Sequence, residues 1–279
     1  RRREKPDRIG KLTRIRGDKM ILTIDIGNTN VKLGVFSEDG KLLDSTRLSS
    51  STHKTSDEYF LAIRDSFASR GIDLGEIGGV IISSVNPNLN YTFEHLISFY
   101  FKVKPMIVGS GIKTGLNIRY DNPKEVGADR IVNSVAAYCT YGGPCIVVDC
   151  GTATTFNVIS EKGEFLGGAI SFGLKASADA LCAKAAKLPK IELVKPDKVI
   201  GRSTITNMQS GIVNGYVGMV EYLIRKIKAE AGNENIKVIA TGGLSEIVAG
   251  SGEEIDVVDR TLTLRGLYLI YKMNKENDK

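Results

Sequence analysis

The chain carries one pattern twice. Ile21-Leu-Thr-Ile-Asp25-Ile-Gly27-Asn28-Thr29 is followed by a second apolar stretch and the turn Ser37-Glu-Asp-Gly40. Ile146-Val-Val-Asp149-Cys-Gly151-Thr152 is followed in the same way by Ser160-Glu-Lys-Gly163. The two aspartates are 124 residues apart and the two turn serines 123, so a single gap aligns the copies. Each copy predicts a buried strand ending in Asp-x-Gly, a second strand, and a hairpin whose glycine supplies the positive φ of a short turn. A repeated unit of this kind restricts the fold more than any isolated motif. It predicts two similar α/β domains facing each other across a cleft.

The remaining periodicities agree with that reading. Strands are predicted at 21–26, 31–37, 41–48, 79–84, 106–109, 145–149, 154–160, 164–171 and 236–240. Helices are predicted at 55–70, 88–102, 125–141, 174–186, 204–231, 243–249 and 262–273. The helix from Thr204 bears Met208, Ile212, Tyr216, Met219, Leu223 and Ile227 at close to a four-residue period, which predicts one apolar stripe for a core or a subunit interface. Of the 279 residues, 42% are hydrophobic, enough for a substantial core, yet no apolar run approaches a membrane span. Cys139, Cys145, Cys150 and Cys182 form no Cys-x-x-Cys pair and read as free thiols of a reducing, cytoplasmic compartment.

The net charge of +6 resides in residues 1–19, which hold nine basic and three acidic residues; residues 20–279 hold 29 of each. This leader reads as a solvated tail or sequence upstream of a start site, with Met20 opening the first strand. Without a basic bias beyond it, no nucleic-acid partner is expected.

An apolar strand entering Asp-x-Gly-x-Thr offers backbone N–H groups and a hydroxyl to a phosphate, while its Asp can hold a cation. Two such turns on opposite walls could grip a polyphosphate from both sides. Lys237-Val-Ile-Ala-Thr241-Gly242-Gly243 offers bare backbone for a base or ribose, or simply a strand-to-helix turn. Neither a Gly-x-x-x-x-Gly-Lys-Ser/Thr loop nor a Gly-x-Gly-x-x-Gly fingerprint is present. Gly127-Ala128-Asp129-Arg130 opens a helix; Asp129 could serve as a proton acceptor and Arg130 as a fork for a carboxylate or phosphate, or the two could merely complement the helix dipole.

The order of these turns resembles the acetate and sugar kinase, Hsp70 and actin superfamily, with its duplicated ribonuclease-H-like, actin-like ATPase domains and interdomain ATP cleft. The boundaries expected on that basis are 20–123 and 124–279. Asp25-Ile-Gly-Asn-Thr-Asn30, the Gly-Ala-Asp-Arg tetrad, Asp149-Cys-Gly-Thr-Ala153 and Thr204-x-x-x-Met-Gln-Ser-Gly211, in this order, resemble type III pantothenate kinases. The resemblance implies ATP-dependent, Mg²⁺-assisted phosphorylation of pantothenate, the first step towards coenzyme A.

It further implies that Asp25, Ile26, Gly27, Asn28, Thr29, Asn30, Val31 and Lys32 form the first phosphate loop, with Asp25 near Mg²⁺. Asp129 would be the catalytic base. Tyr120, Gly127, Ala128 and Arg130 would line the pantothenate pocket. Asp149 would bind K⁺ or NH₄⁺, and Thr152 would touch ATP. Thr204 would reach pantothenate from a neighbouring subunit, hence a homodimer. Lys32 also reads as a strand-surface lysine, Tyr120 as a loop-packing aromatic and Thr204 as a helix cap. His53 and His95 fall outside every motif, so neither a histidine base nor a histidine metal site is expected. The rival readings are another small-molecule kinase of this superfamily and a non-catalytic regulator on the same scaffold.

Overall fold

The computed structural model describes residues 19–275, so all of the basic leader except Lys19 lies outside the described residues. The first sheet contains β1 (Met20–Ile26), β2 (Asn30–Phe36), β3 (Leu42–Ser49), β4 (Ile77–Ser84) and β5 (Met106–Ile107), in the order β3-β2-β1-β4-β5. The second contains β6 (Asn117–Ile118), β7 (Cys145–Cys150), β8 (Ala153–Ile159), β9 (Glu164–Phe172), β10 (Lys237–Thr241) and β11 (Val257–Val258), in the order β11-β10-β7-β8-β9-β6. Apart from β6, the two sheets share one topology. Three antiparallel strands are extended by two parallel ones, β4 and β5 beside β1 and β10 and β11 beside β7. The sequence repeat is therefore a repeat of architecture, and the actin-like α/β class holds.

Chemistry explains the local forms. Strand β1 is buried along its whole length because the sheet is covered on both faces, as its unbroken apolar run requires. The edge strand β3, beyond β2, alternates half-buried and exposed residues, as one open face dictates. The predicted hairpins close alike: Gly40 and Gly163 take φ of +92° and +74° and donate to Ser37 O and Ser160 O at 3.0 and 3.1 Å. The two-residue strands β6 and β11 escape a periodicity reading because they are too short to show a period.

Among the described residues, seven α-helices cover the sheets. Helices α1 (Ser56–Ala68) and α2 (Pro87–Leu96) pack Tyr59, Ile63, Phe67 and Phe93 on one face of the first sheet. The helix expected over 88–102 leaves α geometry at Ile97, where a π-turn runs to Phe101 and ends on Lys102 at φ 57°. The others are α3 (Ala128–Tyr141), α4 (Leu174–Lys184), α5 (Thr204–Glu230), α6 (Ser245–Ala249) and α7 (Leu262–Lys275). The buried apolar stripe of α5 is Met208, Val213, Tyr216, Val217, Val220 and Ile224, with Ile212, Met219, Leu223 and Ile227 partly buried at its margin. The apolar face is thus wider than the row read from the sequence. Its N-cap is Ser203, whose Oγ accepts from Thr206 N, so Thr204 does not serve as the cap.

Helices α3 and α7 are exchanged between the halves. The first sheet packs against α7, through Leu264, Leu267, Ile270 and Tyr271, and against Val132 and Val135 of α3. Tyr268 of α7 sits beneath the Gly40 hairpin of the first sheet and donates to Glu38 O at 2.8 Å. Tyr138 of α3 sits beneath the Gly163 hairpin of the second and donates to Glu161 O at 3.3 Å. Where the helices touch, a methyl on Gly266 would stand 2.2 Å from Val132 O, so only glycine permits the approach.

Candidate active site

Strand register draws a polar row across each sheet. In the first, Arg47 on β3, Lys32 on β2, Asp25 on β1 and Ser83 on β4 are successive cross-strand partners. In the second, the corresponding row is Ile170 on β9, Thr155 on β8, Asp149 on β7 and Thr241 on β10. Cross-strand partners share a face, so each aspartate stands beside a buried hydroxyl. Neither Ser83 Oγ nor Thr241 Oγ1 makes a full hydrogen bond. These two residues were not picked out from the sequence. Continuing the alignment of the copies to the next strand would have found them, since Val80-Ile-Ile-Ser83 and Val238-Ile-Ala-Thr241 both end an apolar strand on a hydroxyl.

Asp25 is buried, and Lys32 Nζ lies 3.5 Å from its Oδ2. Burial raises the Asp25 pKa and Asp149 adds to the rise, while Lys32 and the Ser83 hydroxyl oppose it. On Lys32, burial works against the charge, but Asp25 and Asp149 outweigh it and the ammonium pKa is raised. Lys32 is therefore a charge partner of the cleft aspartates rather than a surface lysine.

The two Asp-x-Gly turns meet. Thr29 Oγ1 and Thr152 Oγ1, 123 positions apart, are 2.8 Å from each other and exposed. Each threonine carbonyl is tied down in an equivalent way, Thr29 O by Ser50 N at 2.9 Å and Thr152 O by Gly173 N at 3.2 Å. In the first turn Gly27 N donates to Asn30 O at 3.0 Å, leaving Asn28 and Thr29 at the exposed tip. Ile26 and Val31, flanking this turn, are fully buried and anchor it in the core. On the second wall Gly242, at φ +94°, lies so close to the strand end that a methyl there would meet Asp149 Oδ1 at 2.6 Å.

The first turn of α3 faces both aspartates. Gly127 is its N-cap, where a methyl would clash with Asp129 Oδ1 at 2.7 Å, and Ala128 opens the helix. Asp129 Oδ1 accepts from Arg130 N at 2.8 Å. Burial, with Asp25 and Asp149 adding like charge, raises the Asp129 carboxyl from 3.8 to about 6. One helical turn on, Asn133 Nδ2 donates to Asp149 Oδ2 at 2.9 Å. Its own Oδ1 is buried without a partner.

Arg130 is buried in a different direction. Its Nε donates to Asn157 Oδ1 at 2.6 Å, and its guanidinium lies over the rings of Phe165 and Tyr120, at 5.4 and 5.9 Å from the centroids. Among the described residues it has no carboxylate partner, and Nη2 is buried and bare. A buried guanidinium with a free edge is built to receive an anion from outside the fold. Tyr120 belongs to this cluster, its ring centroid 6.2 Å from that of Phe165, and a methyl on Gly167 would lie 3.8 Å from it. Thr204 does not. It is exposed and lines a hollow of ≈ 490 Å³ with Leu181, Leu188, Met208 and Ile212, and no hydrogen bond joins it to Asp129 or Arg130.

The residues fit a bound cation. Asp25, Asp129 and Asp149 push against one another's charge, with Lys32 as the one ion-paired cation among the described residues of this group. Unpartnered oxygens of Ser83, Asn133 and Thr241 stand close by in register and sequence. No described group of three acidic, histidine or cysteine side chains could enclose a metal unaided. Asp25 offers one of the one or two carboxylates that Mg²⁺ takes together with substrate phosphates and water. No helix among the described residues is long and apolar enough to cross a membrane.

Comparison with known proteins agrees with this geometry. The family model for type III pantothenate kinase matches residues 21–226. A relative from Bacillus cytotoxicus, described as a type III pantothenate kinase, is 50% identical over 255 residues, spanning 91% of this chain and 97% of its own. A solved structure from Campylobacter jejuni, provisionally named a Baf family transcriptional activator, superposes with a TM-score of 0.57 at 21% identity, covering 91% of this chain and 99% of that one. A ROK family glucokinase from Streptomyces griseus, solved with glucose and AMPPNP, superposes with a TM-score of 0.51 at 15% identity, covering 91% and 98%. The two structural likenesses concern the fold alone.

Proposed function

The chain belongs to the type III pantothenate kinase family, and from that premise we propose how this cleft transfers phosphate from ATP to pantothenate. The protein is an ATP-dependent pantothenate kinase. The observation that carries the detailed reading is the convergence of Asp129 with Asp25 and Asp149 beneath two touching Asp-x-Gly turns.

Asp25 to Lys32 cradle the β- and γ-phosphates from the first half, and Thr152 does so from the second. Mg²⁺ near Asp25 supplies charge neutralisation for the polyphosphate. Asp149 and the neutral oxygens around it hold a monovalent cation, K⁺ or NH₄⁺. Arg130, backed by Tyr120, takes the pantothenate carboxylate, while Gly127 and Ala128 shape the pocket wall. That anchor leaves the primary hydroxyl at Asp129, which accepts its proton as the oxygen attacks the γ-phosphorus in line and the bond from that phosphorus to the β-phosphate oxygen breaks, releasing ADP. A carboxyl raised to about 6 is mostly ionised at neutral pH and more basic than an ordinary aspartate, which suits it to this work. No histidine lies in the cluster and the buried Cys150 thiol is pushed up to about 12, so neither offers a nucleophile for a phosphoenzyme.

Thr204 completes the pocket of a second subunit in a homodimer. Supporting this are its separation from the Arg130 cluster and the apolar surface around it. Val199, Ile200 and Ile205 are exposed, as are Leu166, Ile170 and Phe172 along β9. Light scattering should give twice the 30.3 kDa chain mass, and a monomer at micromolar concentration would remove the shared pocket. The free thiols and the ATP requirement support a cytoplasmic enzyme.

The direct test is ADP release with ATP and Mg²⁺, with and without pantothenate, in K⁺ and in Na⁺. Pantothenate-dependent turnover that collapses in Na⁺ is the expected result. Turnover indifferent to the cation would move it away from Asp149. Turnover only with another alcohol would leave the fold and cost the acceptor.

A further inference from the structure

The row across the first sheet holds one side chain the mechanism above does not use. Arg47 follows Lys32 in register, so two cations stand side by side on adjacent strands. Lys32 has Asp25 as its partner at 3.5 Å. Arg47 is exposed and, among the described residues, takes part in no hydrogen bond or ion pair. Its positive charge presses on Lys32. Like charges directly opposite each other destabilise a sheet, and Asp25 offsets Lys32 while leaving the Arg47 guanidinium without a counter-charge of its own.

The second copy shows that the fold does not demand this arrangement. The positions equivalent to Lys32 and Arg47 are Thr155 and Ile170, on the same strands of the same topology. The basic pair is thus a property of the first half alone, where the first phosphate turn lies. Arg47 also crosses the cleft: a methyl on Gly243 would lie 3.8 Å from its Nη1. Its guanidinium therefore reaches from the strand beside Lys32 towards the bare Gly242-Gly243 turn of the second half.

We propose that Arg47 is a nucleotide-binding residue whose guanidinium grips the polyphosphate between the two halves. This rests on the nucleotide-cleft reading given above. Arginine presents a planar fork that matches phosphate oxygens, and its planar charge needs less hydration than an ammonium, which suits a cleft mouth. The anion supplies the counter-charge that Arg47 lacks. It also ties β3 to the glycine turn, so the nucleotide joins the two halves at this edge.

The test is nucleotide binding by titration calorimetry on the full chain, independent of turnover, using ADP and adenosine as probes with Mg²⁺ present. Arg47→Gln should weaken ADP binding by about ten- to a hundred-fold, as expected for a lost charge-assisted pair, and leave adenosine unchanged. Arg47→Lys should recover part of the loss, because the charge remains while the fork is gone. Binding of ADP to the Gln variant at wild-type strength would overturn the proposal, as would equal losses for ADP and adenosine. A wild-type protein that binds neither probe would instead bring down the nucleotide cleft itself, so the two failures are distinct.

Discussion

Asp129→Asn should lose about a hundred- to ten-thousand-fold in kcat while retaining ATP binding, the range seen when a positioned general base is removed. The amide keeps the shape of the carboxyl and can still accept from Arg130 N, so the first turn of α3 stays formed. What disappears is the proton acceptor. In the wild-type enzyme kcat/KM should fall as pH drops below about 6, where the carboxyl takes up its proton. A variant with full turnover, or a wild-type profile flat well below that pH, would displace Asp129 from the role.

The same substitution has an opposite effect on stability, and the sign follows from the raised pKa. A carboxyl at 3.8 unfolded and about 6 folded stabilises the fold in its protonated form. That contribution is complete below 3.8 and is lost as pH rises through 6. At neutral pH the charged group opposes folding by at most roughly 3 kcal/mol, less what water reaching the half-buried carboxyl screens. The Asn variant should therefore melt higher than wild type at neutral pH, and the gap should close in acid. An enzyme that becomes more stable as it becomes inactive is the signature of a site strained for function.

Arg130→Met should separate function from stability in a similar way. Loss of the fork should lower kcat/KM for pantothenate by about a hundred- to a thousand-fold, chiefly through KM, as two charge-assisted bonds are worth. Stability should change little. The guanidinium is 6% exposed with no carboxylate partner, so its removal relieves an uncompensated buried charge. Against this stand the bond to Asn157 Oδ1 and the contacts with Tyr120 and Phe165. Methionine fills the stem's volume and keeps the aromatic contacts. Arg130→Lys should not restore pantothenate affinity, because a point charge lacks the fork. A variant that unfolds, or that binds pantothenate normally, would assign Arg130 to the core instead.

The parts legible in the sequence were those encoded locally. Asp25, Asp149 and Asp129 each close or open an element whose period and turn chemistry can be read in a short window, and the duplication made two of them credible together. Strand and helix assignments held for the same reason. Partnerships set by register were not legible. Arg47 lies in a strand of ordinary polar alternation, and nothing nearby says that it stands beside Lys32 and reaches Gly243. Asn133 looks like one polar residue in a helix until β7 brings Asp149 to its amide. Asn157 and Phe165 become partners of Arg130 only when β8 and β9 pair beneath α3. The start of α5 at Thr204 was legible, but the choice between Ser203 and Thr204 as its cap was not, because the two are chemically equivalent candidates and only backbone dihedrals choose between them.

The exchange of α3 and α7 also bears on how the polypeptide emerges from the ribosome. All five strands of the first sheet have been made once Ile107 is joined, but one of its apolar faces waits for a helix encoded at 262–275. Until then Ile21, Phe36 and Ile81 have only part of their eventual cover. The amino-terminal half is consequently not a self-sufficient folding unit during synthesis, and its apolar face stays partly uncovered until residues 262–275 have been made. Maturation of the cleft is thereby deferred to a single late docking event, which seats the helix on the sheet and against α3 in the same movement.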